Sequence, residues 1–280
     1  SSTSRGLGDV YKRQQFVFER DIKKAIKQSD NKKNDKYTFS FDMLGEAAVT
    51  YEDSERYYSQ YEEAILQTGK SLNPHKKSIS IKLSSLHPRY ERNKFDLLKK
   101  ELLPKIFKLV ELGRENKVDI CIDAEEADRL NLSLFMFKDI IESKLIDNVY
   151  HGFGFAIQAY QKRTFFLLDW LNDYLQSVDK KINIRLVKGA YWDTEIKIAQ
   201  EEGFENYPVF TKKFATDISY LACAHKLLVN KNIFSQFATH NAHSISYIHT
   251  LFKNTNFEFQ KLHGMGDEIY SFLENKPDFK

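Results

Sequence analysis

Lys82, Asp123, Gln158, Arg185 and His240 share one context: each ends, or lies just past, a short run of apolar and β-branched residues. Ile79-Ser80-Ile81 leads into Lys82, Ile120-Cys121-Ile122 into Asp123 and then Glu125, and Phe155-Ala156-Ile157 into Gln158. Ile182-Asn183-Ile184 leads into Arg185 and then Lys188, Phe237-Ala238 into Thr239, His240 and Asn241, and the run around Phe259 into His263. A charge beside an apolar run costs free energy unless it is paired or used. Repetition at strand end after strand end therefore points to a polar pocket holding both signs. Lys82 could pair with Asp123 or meet an anionic group of a ligand. In Arg185-Leu-Val187-Lys188-Gly189-Ala190-Tyr191-Trp192, the glycine permits close backbone approach, and two aromatic rings offer flat surfaces at a loop mouth. Asp123, Glu125 and His240, with His243, have the residue types of a metal site. His243 is expected to start a helix leading away, and no metal is expected.

The elements that must position these residues alternate. Short runs at Thr38–Met43, Ser78–Leu83, Val118–Asp123, Phe153–Gln158, Ile182–Val187, Phe234–Thr239 and Phe257–Leu262 read as strands. Between them lie amphipathic helical patterns. Thr50-Tyr-Glu-Asp53 has the form of a capping box opening a helix that stops near Gly69. Asn93 is expected to cap the next helix and Pro104 to kink it. Further helices fit Glu19–Gln28, Glu126–Glu142, Lys162–Gln176, Pro208–Val229, Ser244–Lys253 and a short segment from Asp267. Such alternation means parallel strands with helical crossovers. Leu44-Gly45-Glu46-Ala47-Ala48, after the first strand, lacks the glycine pattern of an open dinucleotide-binding sheet, so a (βα)₈ barrel is favoured. In a barrel every strand end listed above faces one rim, where barrel enzymes keep their sites.

Composition narrows the class. The 280 residues suit one large α/β domain, with 42% hydrophobic and 29% charged side chains. A net charge of +3, with both signs interspersed, gives no basic stripe for nucleic acid, and none is expected as a partner. Cys121 and Cys223 sit in apolar runs and read as buried thiols of a reducing compartment. No apolar run approaches the roughly 20 residues that span a bilayer. Ser1 to Gln14 is rich in Ser, Gly and Arg without periodicity; residues 1–14 are expected to be a disordered or non-native leader, and residues 15–280 the domain itself.

Tyr37–Ala48 (YTFSFDMLGEAA), Ser80–Tyr90 (SIKLSSLHPRY), Asp123–Leu130 (DAEEADRL), Ile157–Arg163 (IQAYQKR), Ile184–Glu195 (IRLVKGAYWDTE), Phe237–His243 (FATHNAH) and Phe259–Gly266 (FQKLHGMG) resemble the proline dehydrogenase domain of bacterial proline utilization A proteins, in family order. The resemblance implies a distorted (βα)₈ barrel holding FAD at the strand C-termini. It implies oxidation of L-proline to Δ1-pyrroline-5-carboxylate by hydride transfer to flavin N5, with a ubiquinone-type electron acceptor. Many family members carry a fused aldehyde dehydrogenase module. The implied location is cytoplasmic, or peripheral at the inner membrane. By the same resemblance, Lys82 meets the substrate carboxylate with Asp123 beside it, Tyr191 packs on the proline ring, and Glu46 forms an ion-pair gate. Gln158 and Arg185 contact the isoalloxazine, and Val187, Lys188, Gly189, Ala190 and Trp192 form the flavin loop. Thr211 and Lys213 contact the adenine-side phosphates and ribose; Thr239, His240 and Asn241 make further FAD contacts.

One departure stands out. The family's eighth strand, and the eighth helix with an Arg-Arg pair that clamps the proline carboxylate, have no match after Gly266. The expectation is therefore a barrel truncated before its eighth strand and helix, a fragment that binds proline weakly, turns over poorly and tends to aggregate. Two other readings stand beside it. One is a metal-dependent barrel lyase or hydrolase built on Asp123, Glu125 and His240; the other is a non-catalytic barrel serving as an interaction module.

Overall fold

Along each strand the side chains alternate between two environments, and that alternation sets the architecture. The computed structural model describes residues 21–34, 36–43, 47–73, 75–147, 150–253 and 255–276. Within them seven strands run parallel: β1 Phe39–Asp42, β2 Lys77–Ile81, β3 Val118–Ile122, β4 Phe153–Gln158, β5 Ile182–Val187, β6 Ile233–Ala238 and β7 Phe257–Gln260. Each pairs with the next, so spatial order is sequence order. That is the order of a curled βα barrel; a doubly wound sheet would reverse at a switch point.

Ile79, Ile81, Ile120, Ile122, Phe153, Phe155, Ile184 and Leu186 belong to the buried core between strands and helices. The intervening positions line a cavity of about 2610 Å³ along the barrel axis, among them Ser40, Ser80, Asn183, Arg185, Gln236 and Glu258. Apolar outward and polar inward is thus the phase of the strands. A fully buried Ile or Phe contributes about 1.5–3 kcal/mol, so the helix-facing side fixes the phase and the polar side follows.

The helices are α1 Ile22–Ser29, α2 Tyr51–Gly69, α3 Phe95–Glu101, α4 Leu103–Glu115, α5 Leu130–Ile141, α6 Thr164–Val178, α7 Trp192–Glu201, α8 Lys213–Val229, α9 Ala242–Leu251 and α10 Asp267–Glu274. The capping box of α2 forms as expected: Asp53 N donates to Thr50 Oγ1 at 3.0 Å and Thr50 N to the Asp53 carboxylate at 3.2 Å. Gly69 ends α2 where a Cβ would lie 2.8 Å from Asn116 Cβ.

Three expectations need correction. Pro104 does not kink one helix; it sits in the first turn of α4, where its missing N–H has no partner to lose, and α3 and α4 are separate. Asn93 lies in a 3-10 turn (Arg92–Lys94), and α3 starts without a side-chain cap. Pro208 does not open α8. Val209 is buried in an antiparallel bridge to Gln161, Pro208 O accepts from Lys162 N at 3.0 Å, and helix begins only at Lys213.

Among the described residues β1 and β7 form the two edges of the sheet. The seam between them is spanned by side chains: Glu274, at the end of α10, accepts from Tyr37 OH at 2.5 Å and pairs with Lys36, while Lys261 lies over the Tyr37 ring at 5.7 Å. No helix among the described residues is long and apolar enough to cross a membrane. The leader expected at residues 1–14, and Glu46, lie outside the described residues.

Candidate active site

Lys82 leaves β2, the strand between β1 and β3, and its backbone N donates to Tyr61 OH at 3.1 Å. Each neighbouring strand supplies one carboxylate. The ammonium lies 2.9 and 3.1 Å from the two oxygens of Asp42 and 3.1 Å from Asp123 Oδ2. Burial works against the charge on Lys82, but Asp123 and Asp42 outweigh it and hold the amine above the ordinary lysine range. The Lys82–Asp123 pair fits the sequence reading; Asp42 was not named there. Its signal was the one that flagged the others, a carboxylate at the end of the strand read at Thr38–Met43. Burial raises the Asp42 carboxyl above the usual range, against the pull of Lys82. Its side chain is 45% exposed, and that exposure opens on the cavity, which Asp42 lines.

Arg185 is not at the rim. It lies within β5, 9% exposed, and reaches across the barrel to Ser80 Oγ and Ser40 Oγ, each at 2.7 Å. Its buried Nε has no hydrogen-bond partner. On the far side Glu258 accepts from Gln236 at 2.9 Å and Gln260 at 2.7 Å, and burial raises its carboxyl above the usual range.

Gln158 ties two loops together. Its Nε2 donates to Glu125 O at 2.8 Å and its Oε1 accepts from Ala190 N at 3.1 Å. Val187 O and Lys188 O accept from Ala159 N at 2.9 Å and Tyr160 N at 2.8 Å, so the segment after β5 lies along the exit of β4. Gly189 has φ +147°, and a Cβ there would fall 2.3 Å from the Tyr160 ring; the loop packs this closely only with glycine. Tyr191 is half-buried beside the Lys82 cluster, and burial, with Asp123 adding, pushes its phenol up to about 12.

Other expected site residues have separate commitments. Lys188 pairs with Asp217, which also holds Lys213 at 2.7 Å, so Lys188 does not join the acids around Lys82. Trp192 is the first residue of α7, a helix the sequence reading lacks, and its indole N–H donates to Phe210 O at 3.0 Å. Asp193 and Glu195 in the first turn of α7 were the available signal. Thr211 is exposed just before α8. Thr239 Oγ1 accepts from Asn241 N at 3.1 Å, and Asn241 Oδ1 caps α9 through Ser244 N at 2.9 Å. His243 is exposed in the first turn of α9. His240 Nε2 accepts from Leu262 N at 2.9 Å, and burial, helped by Lys261, lowers its pKa. Glu125 is buried, accepts from Ser84 N at 3.1 Å and pairs with Arg129 at 2.8 Å. Asp123, Glu125 and His240 thus serve three different partners, and no group of three or more His, Cys, Asp or Glu among the described residues is arranged to hold a metal ion.

The fold and this charged end of the cavity define an α/β-barrel protein with an enzyme-type site at the strand C-termini. The chain belongs to the proline dehydrogenase family, which matches residues 25–280. It is 46% identical over 273 residues to the bifunctional protein PutA of Klebsiella aerogenes, covering 94% of this chain and 21% of that protein. It is 30% identical over 202 residues to proline dehydrogenase 2 of Bacillus subtilis strain 168, covering 69% of this chain and 54% of that one. Among solved structures, proline utilization A of Bradyrhizobium japonicum superposes with TM-score 0.85 at 42% identity, over 93% of this chain and 27% of that chain. That of Bdellovibrio bacteriovorus, inactivated by N-propargylglycine, gives 0.86 at 28% identity, over 94% and 29%. The chain spans about a fifth of the length of the PutA proteins it matches.

Proposed function

We propose that this domain oxidises L-proline to Δ1-pyrroline-5-carboxylate with FAD as its cofactor. The observation that carries the proposal is the Lys82 ammonium held by two carboxylates at the mouth of a barrel of the proline dehydrogenase family. A fixed ammonium of this kind suits the carboxylate of an amino acid. The two acids keep it charged and aimed. Tyr191, half-buried next to the cluster, offers an aromatic face to the apolar ring carbons of proline.

The residues present fit a flavin. Arg185 is a buried cation with one N–H left without a partner, reaching across an interior lined by hydroxyls and amides as well as by the carboxylate of Glu258. When bound, the flavin supplies the two-electron acceptor for hydride from the proline carbon next to nitrogen. Arg185 and Gln158 would face its ring system, and a positive charge there favours the reduced, anionic form. Val187, Lys188, Gly189, Ala190 and Trp192 would form the loop bordering it, Thr211 and Lys213 would meet the adenine-side phosphates and ribose, and Thr239, His240 and Asn241 would make further contacts to the cofactor. Electrons would pass on to a ubiquinone-type acceptor from a cytoplasmic protein, peripheral at the inner membrane, and an aldehyde dehydrogenase module fused in the parent would consume the product.

The test is the visible spectrum of the chain with FAD, without oxygen, before and after L-proline. Bound flavin that bleaches slowly at saturating L-proline, and not with D-proline, is expected. Bound flavin indifferent to proline would refute the substrate; no bound flavin at all would refute the cofactor.

A further inference from the structure

Asp42 holds Lys82 more completely than the better-marked Asp123 does. Both oxygens of Asp42 reach the ammonium, at 2.9 and 3.1 Å, against one oxygen of Asp123 at 3.1 Å. Asp123 divides its carboxylate, since its Oδ1 accepts from Ala124 N at 3.1 Å. The strands explain the arrangement. Asp42 is the last residue of β1 and stands in register with Ser80, two residues before Lys82, so its side chain meets the lysine as it leaves the sheet. Asp123 N donates to Ile81 O at 2.8 Å, which fixes the opposite flank. Beneath Asp42 on the same inward face, Ser40 accepts from Arg185 at 2.7 Å. The inward face of β1 thus reaches both cations of the site.

We infer that Asp42 is a positioning residue for Lys82, setting its direction, and that it keeps the amine protonated jointly with Asp123 on the other flank. The inference rests on the proline dehydrogenase reading only for what the ammonium meets. Two neighbouring carboxylates are also what the charge requires: a lysine with 17% side-chain exposure is poorly hydrated, and one partner on one side leaves the ammonium free to swing. Asp42 opposes that swing because it grips with two oxygens.

The test reads Lys82 directly and involves neither flavin nor proline, so its failure is separate from a failure of the functional reading. The chain, and its Asp42→Asn, Asp42→Glu and Asp123→Asn variants, would be labelled with acetic anhydride across a pH series. The extent of Lys82 acylation would be read by peptide mass spectrometry against the exposed Lys197 as internal standard. Asp42→Asn is expected to raise the acylation rate of Lys82 at a fixed mildly alkaline pH about tenfold, the change that one pKa unit produces. Asp42→Glu is expected to restore most of the protection, and Asp123→Asn to give a rise of similar size. Equal labelling in the parent chain and Asp42→Asn, with a rise only in Asp123→Asn, would overturn the inference. Fast labelling in Asp42→Glu, with unchanged circular dichroism, would do so too. Should Asp42→Asn not fold, Asp42→Glu alone decides, since it keeps the carboxylate and must keep the slow labelling.

Discussion

β4 and β7 are both strands of one sheet, yet they live in different surroundings. All six residues of β4 are buried, and Phe153 and Phe155 pack on Phe137 of α5 at ring distances of 5.1 and 5.0 Å. All four residues of β7 are only partly buried, and its rim is steadied by side-chain bonds such as those of Tyr270 to Thr239 O and Gln260 O. Lys82, Asp123, Gln158 and Arg185 all issue from β2 to β5, the packed wall. The comparison teaches that the chemistry is mounted on the rigid part of the barrel. Among the described residues the seam from β7 round to β1 is spanned by polar contacts of Glu274 and Lys261, with Asp42 and Ser40 reaching inward from it to the site.

That contrast can be broken or sharpened by substitution. Phe155→Ala, in the wall, is expected to cost about 3–5 kcal/mol in chemical denaturation, the usual toll of emptying a close-packed aromatic site. Lys82→Met should leave the wall standing and raise the KM for L-proline about ten- to a hundredfold in the loaded enzyme. This is the equivalent of the roughly 1.5–3 kcal/mol of a hydrogen bond to a charged group; an unchanged KM would remove Lys82 from substrate binding. Thr50→Ala, which dismantles the α2 capping box, should cost about 1 kcal/mol by the same denaturation assay. At the seam, Glu274→Gln should change stability by less than about 1 kcal/mol, because solvent screens its pair with Lys36. A cost as large as that of Phe155→Ala would show the seam to be as rigid as the wall.

A pH dependence separates the two regions further. The Glu258 carboxyl on β7 is raised by burial. A raised group contributes stability that is fully present below its unfolded value and is lost as pH rises through the folded one. Glu258→Gln keeps the acceptor for Gln236 and Gln260 and removes the buried charge. The variant should therefore melt higher than the parent chain at neutral pH, with the gap closing as pH falls below the ordinary carboxylate range. A gap that does not change with pH would remove the buried charge as its cause.

The strands were legible because two local signals agree: apolar residues at every second position, and a polar residue where the strand leaves the sheet. β4 and β5 match the sequence reading at both ends. What lay across the barrel was not legible. Ser40 and Ser80 are 145 and 105 residues from the arginine they serve, and a serine alternating in a strand looks like one facing solvent. Lys188 joins the rim charges in the sequence, but its partner Asp217 comes from α8, a helix whose packing no local pattern states. Asn241 shows the opposite case. Its cap on Ser244 N is a local motif, Asn-Ala-His-Ser, and it was hidden by a ligand role assigned from resemblance. α7 was missed because its aromatic start reads as a loop mouth before it reads as a helix.

The unbroken β1-to-β7 order has a consequence for how the chain can be made. Every strand after β1 docks beside one that left the ribosome before it, so the sheet can lengthen by one strand at a time during synthesis, while the outer edge of β1 stays open throughout. The bond of Glu274 to Lys36 is different. Its ends are 238 residues apart, and it can form only once α10 has emerged, which makes it a fastener applied after these seven strands have assembled and not a guide to them.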